Sequence, residues 1–159
     1  MALSKIDGTN FIEGTVPSTV APGAGKVLQV VQATTTSNQI ISSETATDLT
    51  GFTASITPSS TSNKILIIAN TFANITSTNQ GYGFFIVRGS TQIYASASNY
   101  VGYSSATTRR SDTFIHLDNP SSTSSLTYKC QAREYIEAQG NIEFNEQGRS
   151  SITLMEILG

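Results

Sequence analysis

The sequence has few of the residues that build disulfides and metal sites. Its 159 residues contain one Cys, one His and no Trp. One Cys cannot form an internal disulfide, and one His cannot anchor a zinc site that needs several His ligands. We therefore expect no metal and no cofactor.

Charge is scarce as well. Charged residues make up 13% of the chain, about half of the roughly 25% that is usual in soluble domains. Nine basic and eleven acidic residues give a net charge of −2. Most nucleic-acid binders and proteins of anionic membranes depend on an excess of positive charge. We therefore expect no nucleic-acid partner.

Long apolar runs are missing too. The longest, ILIIA at residues 65–69, is far shorter than the roughly 20 residues that cross a bilayer. Residues 1–7 lack the apolar region of a secretory signal. We therefore expect that the chain does not insert into a membrane. We also expect that it is synthesised in the cytoplasm.

Hydroxyl residues take the place of charge. Ser and Thr occur 22 times each, so they account for 44 of the 159 residues. A surface of this kind is hydrated without strong charge, which suits dense, repetitive display. The length fits one domain.

Residues 1–25 differ from the rest of the chain. They hold two of the four prolines and four of the twelve glycines, and their apolar residues follow neither a helical nor a strand period. This composition is also typical of a disordered leader. Isolated apolar side chains in such a segment order most easily in the grooves of a partner. We expect residues 1–25 to be an extended anchoring arm that makes its contacts through Leu3, Ile6, Phe11, Ile12 and Val16.

From residue 26 onward the apolar residues recur with a period of two. Phe52, Ala54 and Ile56 alternate with polar residues until Pro58, and eight to ten such strands are separated by Ser, Thr, Gly and Pro. The best helical window, residues 134–139, is too short to form a helix without packing. The pattern predicts an all-β protein: an antiparallel two-sheet sandwich of the jelly-roll type over residues 26–159, preceded by the arm.

Some strands are apolar on both faces. Examples are Ile65 to Ile68, the pair Phe84 and Phe85, and residues 154–158. Both faces of such a strand must be covered, either by a loop of the same chain or by another copy. We expect a contact between copies with threefold symmetry, that is, a homotrimer.

Several segments resemble a known module. They are GKVLQVVQATTT, TGFTASITPSSTSNKILI, FFIVRGSTQI, FIHLDNPSSTSSLTYKCQAR and SSITLMEIL. Together they resemble a β-sandwich module of tailed-bacteriophage virion proteins, especially in phages of marine bacteria and cyanobacteria. The most specific pieces are ITPSSTSNKILI, LDNPSSTSSLTYK and SSITLMEI. The opening, MALSKIDGTNFIEGTVP, is similar to the start of small phage structural proteins.

The resemblance implies a non-enzymatic protein on the virion surface, made in the cytoplasm of a bacterial host. Its partners would be other virion proteins of the capsid or tail. Tail-fibre tips of this type follow a long shaft, whereas about 25 residues precede the module here. This difference favours a capsid decoration, cement or head-fibre protein over a complete tail fibre.

Catalytic chemistry finds little support in the sequence. His116 shares a strand face with Asp112 and Asp118, and a serine could complete a triad on paper. A triad also needs a nucleophile on a strained turn and an oxyanion hole, and no G-x-S-x-G motif occurs. We expect no catalytic residues, and we expect Cys130 to be a buried apolar residue.

The segment 96–110 has the composition of a binding loop. Tyrosines among Ser, Asn and Gly resemble an antibody paratope, and two arginines could hold an acidic group. The competing interpretation is a connecting loop whose tyrosines pack on their own sandwich. The alternative function is therefore a receptor-binding module that recognises host surface glycans through Tyr94, Tyr100, Tyr103, Arg109 and Arg110.

Overall fold

The computed structural model describes residues 25–96, 101–135 and 140–159, and these residues form strands and turns without a helix. The strands are β1 (Val27–Thr35), β2 (Gln39–Ile41), β3 (Thr47–Ile56), β4 (Lys64–Ile75), β5 (Gln80–Arg88), β6 (Thr91–Ala95), β7 (Val101–Ser104), β8 (Thr108–Asp118), β9 (Leu126–Glu134), β10 (Ile142–Phe144) and β11 (Ser150–Ile157). The predicted arm lies outside the described residues, except for Gly25.

The strands form two antiparallel sheets packed face to face. Sheet I has the order β1-β11-β4-β8, and β10 and β2 extend it beside the far end of β4. Sheet II has the order β3-β9-β5-β6, with β7 also paired to β5. The eight main strands are β1, β3, β4, β5, β6, β8, β9 and β11. Numbered from one to eight along the chain, they lie in the order 1-8-3-6 in sheet I and 2-7-4-5 in sheet II. This is the strand order of a jelly roll, so the predicted fold class is confirmed.

Local sequence explains most strand boundaries. β3 ends at Ile56, two residues before Pro58, which cannot donate a backbone hydrogen bond to a neighbouring strand. Gly89 has a φ of 58°, which glycine adopts at low cost, and it turns β5 into β6 as a tight hairpin. Both features agree with the prediction.

The core lies between the sheets and is rich in aromatic rings. Phe84 of β5 stacks on Phe114 of β8 with ring centroids 4.0 Å apart. At one side Tyr82 meets Phe144 edge to face at 5.2 Å. Tyr128, Cys130 and Ala132 of β9 are all fully buried, as the shared strand face predicted, and Leu126 packs against their cluster.

One predicted loop contains two strands. Segment 96–110 was expected to be a long connection, but β7 occupies Val101–Ser104 and β8 begins at Thr108. Tyr94 lies earlier still, on β6. The five proposed ligand residues therefore do not share one loop. Polar and small residues concealed the strands, because few apolar side chains mark their period.

The two-faced strands are covered in different ways. In β5, Phe84 faces the core, and Phe85 faces outward but is only 7% exposed because the Arg133 guanidinium lies over its ring at 5.3 Å. This strand needs no second copy to cover it. In β4, Ile65 and Ile67 are fully buried, whereas Leu66 and Ile68 lie half-buried on the outer face of sheet I.

Candidate functional site

His116 is the only histidine of the chain, and its ring packs against an aromatic neighbour. The centroids of His116 and Tyr94 are 5.8 Å apart. Two carboxylates share its strand face: Asp112 accepts hydrogen bonds from Tyr82 Oη and from the Arg110 guanidinium, and Asp118 accepts from Tyr128 Oη and from Arg88. Each of these carboxylates therefore already binds a tyrosine and an arginine.

The described residues also contain no cluster for a metal. Within 25–96, 101–135 and 140–159, no group of three or more His, Cys, Asp or Glu side chains could hold an ion. The same part of the chain has no helix long and apolar enough to cross a membrane.

The two arginines of the proposed ligand site are both ion-paired within the chain. Arg110 binds both carboxylate oxygens of Asp112, with the shortest contact at 2.5 Å from Nη2 to Oδ1. Arg109 donates from Nη2 to Oε2 of Glu146 at 2.8 Å. Asn74 also donates to Glu146 and ties it to β4. An incoming acidic ligand would have to compete with these carboxylates.

The tyrosines of that site have different surroundings. Tyr94 is half-buried on the inner side of β6, against Phe114 and His116. Tyr103 is 45% exposed, and its ring meets Tyr135 edge to face at 5.6 Å. Tyr100 lies outside the described residues. Sequence reasoning missed Tyr135, because it follows β9 in a segment without a strand period.

The structure separates the sandwich into two ends. At one end β1 and β4 begin and β8 and β11 finish, and Gly25 donates its backbone N–H to the Leu158 carbonyl at 2.9 Å. Arg109 lies at the other end, beside Asn74 of β4. Ten residues of strand separate Lys64 from Asn74, which is about 34 Å at 3.4 Å per residue. We call these the Gly25 end and the Arg109 end.

A buried carboxylate organises the Gly25 end. Glu156 of β11 is 1% exposed. Its Oε1 accepts from the backbone N–H and the hydroxyl of Ser59 at 2.6 and 2.7 Å and from Asn63 Nδ2 at 2.5 Å. Its Oε2 accepts from Gln29 Nε2 at 2.6 Å. Burial alone would raise the pKa of Glu156, but the hydrogen bonds from Gln29, Asn63 and Ser59 outweigh it and lower that pKa to about 2.

A second carboxylate lies at the same end. Asp118 Oδ2 accepts from Tyr128 Oη at 2.7 Å and from Arg88 Nη1 at 2.6 Å. Burial, and then the hydrogen bond to Asp118, raise the pKa of Tyr128. Both carboxylates flank Ile65 in the strand register, so they close the Gly25 end of the core from opposite sides.

These networks explain what the most specific sequence segments do. Ser59 and Asn63 belong to ITPSSTSNKILI, and Glu156 belongs to SSITLMEI. Asp118 and Tyr128 both belong to LDNPSSTSSLTYK. These segments thus supply two hydrogen-bonded networks: one joins the connection between β3 and β4 to β1 and β11, and the other joins β5, β8 and β9. Their role in this fold is structural.

Cys130 is a buried core residue. It is fully buried in β9, and burial raises the pKa of its thiol. A thiol of this kind is a poor nucleophile, because the thiolate is the reactive form.

Comparisons with known proteins give a partial likeness. No family model matches the chain, and no curated protein matches it. Similar solved structures include infectious bursal disease virus Gx strain, at 13% identity and a TM-score of 0.49, covering 100% of this chain and 37% of that one. Another is the VP2 subviral particle of infectious bursal disease virus, at 11% identity and a TM-score of 0.46, covering 100% and 38%. Dimeric latent PorU from Porphyromonas gingivalis follows at 12% identity and a TM-score of 0.35, covering 85% and 14%.

The chain spans little more than a third of the length of the two viral proteins. A likeness of this size assigns no function to it.

Proposed function

We propose that this chain is a non-enzymatic structural protein on the surface of a tailed-phage virion. Residues 1–25 anchor it to the capsid or tail, and residues 26–159 form a jelly-roll knob displayed as a homotrimer. Among the roles open to such a protein, capsid decoration, cement or a short head fibre fits best.

The observation that carries this proposal is the polarity of the sandwich. The 24 residues before Gly25 join the knob at one end, and the exposed Tyr103 and the Arg109 region lie about 30 Å away at the other. If the chain is anchored at the Gly25 end, the Arg109 end therefore points away from the capsid or tail. Two buried carboxylate networks reinforce the end that would bear the anchor.

Two further features support the proposal. The sequence segments that resemble phage virion modules extend across the whole knob, from β1 to β11. Jelly rolls are also a common architecture of viral capsid and lectin domains, although a fold by itself does not determine a function.

Deleting residues 1–20 tests the anchor. We expect the shortened chain to keep its cooperative thermal unfolding, because the jelly roll lies within 25–159, and to lose its binding to virus particles that lack the protein. Co-sedimentation with such particles measures the binding.

A matched pair of full-length variants shows whether binding depends on the apolar side chains of residues 1–25 or only on the presence of this segment. The double variant Phe11→Ser, Ile12→Ser should bind weakly, and Thr9→Ser, Thr15→Ser should bind like the wild type. Undiminished binding of the shortened chain would show that the arm is not the anchor.

The alternative is a receptor-binding module for host surface glycans. The observation in its favour is the pair of rings formed by Tyr103 and Tyr135 at the displayed end, since exposed aromatic rings can stack on sugars. Arg109 and Arg110, which such a site would use for acidic groups, are already paired with carboxylates. The structural role therefore has the stronger support.

A further inference from the structure

The outer face of sheet I carries a continuous apolar patch. Cross-strand register places Val30, Met155, Leu66 and Leu117 in one row across four strands. Ile68 and Ile115 are adjacent in the next row. We call these six side chains the sheet I patch.

The patch is well exposed. Ile115 is 60%, Val30 56% and Leu117 50% exposed, and Leu28 and Val27 extend it along β1 at 40% and 45%. Five large aliphatic side chains are thus at least 40% exposed in adjoining positions, and the largest apolar patch on a typical monomer is roughly 300–600 Å² and often functional. Patches of this size commonly mark interaction sites.

No charged side chain lies within the two rows of the patch or within the third row beside them, and Lys64 lies outside these three rows, in the row of Val27. The remaining positions are polar and neutral: Gln32 and Thr153 in the second row, and Thr34, Ser151, Asn70 and Thr113 in the third. Two of these pairs, Gln32 with Thr153 and Asn70 with Thr113, are hydrogen-bonded across strands. The rows therefore form a flat, neutral surface.

The outer face of sheet II differs. Lys129 and Asp48 form an ion pair there, Gln131 donates to the same Asp48, and Arg133 covers Phe85. This face covers its apolar residue with its own charged side chains. Only the outer face of sheet I, among the described residues, presents large aliphatic side chains in adjacent rows.

We propose that a second copy of this chain covers the sheet I patch. Two copies of a chain with a net charge of −2 can associate at low electrostatic cost through an uncharged surface, and the three rows provide one. Four strands about 4.8 Å apart and three rows about 6.8 Å apart cover about 400 Å², roughly half of the 800 Å² that each partner contributes to a standard interface. The inference rests on the proposed homotrimer and locates one of the two surfaces that meet in each threefold contact.

Light scattering on the full-length protein tests the contact. We expect the wild type to have a mass near three times 16.9 kDa. Ile115→Lys and Leu117→Lys each bring a charge into the patch and should reduce the mass to that of one chain. Because both side chains are at least half exposed, the variants should still unfold cooperatively as folded monomers, without the added stability that association gives the wild type.

Ile40→Lys is the matched control. Ile40 is 54% exposed on the same sheet, but it lies on β2 beside Glu143, at the Arg109 end. Its substitution should leave the mass at the wild-type value. A loss of assembly in this variant as well would contradict a contact confined to the patch.

The outcomes separate the two proposals. A trimeric wild type whose Ile115→Lys and Leu117→Lys variants stay trimeric would overturn the location of the contact and leave the proposed trimer standing. A wild-type mass of 16.9 kDa would overturn both the contact and the trimer. If deleting residues 1–20 then produced multimers, the arm rather than a second copy would occupy the patch. Loss of particle binding on that deletion tests the virion role independently.

Discussion

Replacing Glu156 with glutamine should destabilise the knob strongly although it changes only one atom of the side chain. The carboxylate accepts four hydrogen bonds, three at Oε1 and one at Oε2. The amide nitrogen of Glu156→Gln must replace one of these oxygens, and it would then face a donor. The orientation toward Gln29 loses the fewest bonds, but Gln29 Nε2 also donates to the Thr57 carbonyl at 2.8 Å, so reversing that amide breaks a second bond.

The expected cost follows from the bonds lost. A hydrogen bond to a charged group contributes about 1.5–3 kcal/mol, and an unsatisfied buried donor costs about 1–3 kcal/mol. We expect the free energy of unfolding to fall by about 2–3 kcal/mol. For a domain of this size 1 kcal/mol lowers Tm by roughly 2–4 °C, so Tm should fall by about 4–12 °C.

Urea and thermal unfolding measure this loss, with Glu143→Gln as the control. Glu143 accepts a hydrogen bond from Asn74 Nδ2 at 3.0 Å, and a glutamine keeps an oxygen for it. The control should therefore change stability by less than about 0.5 kcal/mol. An equally small effect of Glu156→Gln would refute the network's role.

The pH dependence gives a second check on the same variant. The pKa of Glu156 is lowered in the folded state from 4.5 to about 2. A carboxylate whose pKa is lower in the folded state stabilises the fold at any pH above its pKa in the unfolded state. This contribution is lost as the pH falls through the pKa of the folded state. The difference between wild type and Glu156→Gln should therefore be largest above pH 5 and shrink toward pH 2. A constant difference across this range would contradict the assigned cause.

Two further predictions concern the core. Asp118→Asn should lower the free energy of unfolding by about 1–2 kcal/mol, because its amide oxygen can still accept from Arg88 and Tyr128 but no longer carries the charge that strengthens both bonds. Asp48→Asn, in a more exposed ion pair, should cost less than about 1 kcal/mol; equal losses in urea unfolding would count against the Asp118 network. Cys130 should react with a thiol reagent at pH 8 only in denaturant, since it is fully buried, and rapid labelling of the native protein would contradict this packing.

The fold could be predicted from sequence wherever one face of a strand is apolar. The end of β3 was predicted from the alternation of Phe52, Ala54 and Ile56, because each of these side chains fills the core. β2 and β7 were missed because they have three and four residues and few apolar side chains. The period of two is informative only over longer segments.

The candidate site was less predictable, because a sequence does not show which charges pair. Arg109 and Arg110 are adjacent in sequence, and the alternative function had them act together on an acidic ligand. They are consecutive residues of strand β8, so their side chains leave it in opposite directions. Arg109 pairs with Glu146, and Arg110 pairs with Asp112. The cover over Phe85 was equally hidden, since Arg133 comes from a neighbouring strand 48 positions later in the chain.

The virion role can be tested most directly on purified particles made from the genome that encodes this chain. Quantitative mass spectrometry should find the protein in many copies per particle, and an antibody raised against residues 26–159 should bind the intact particle without disruption. Absence of the chain from purified particles, or antibody binding only after the particles are broken open, would contradict a structural protein of the virion surface.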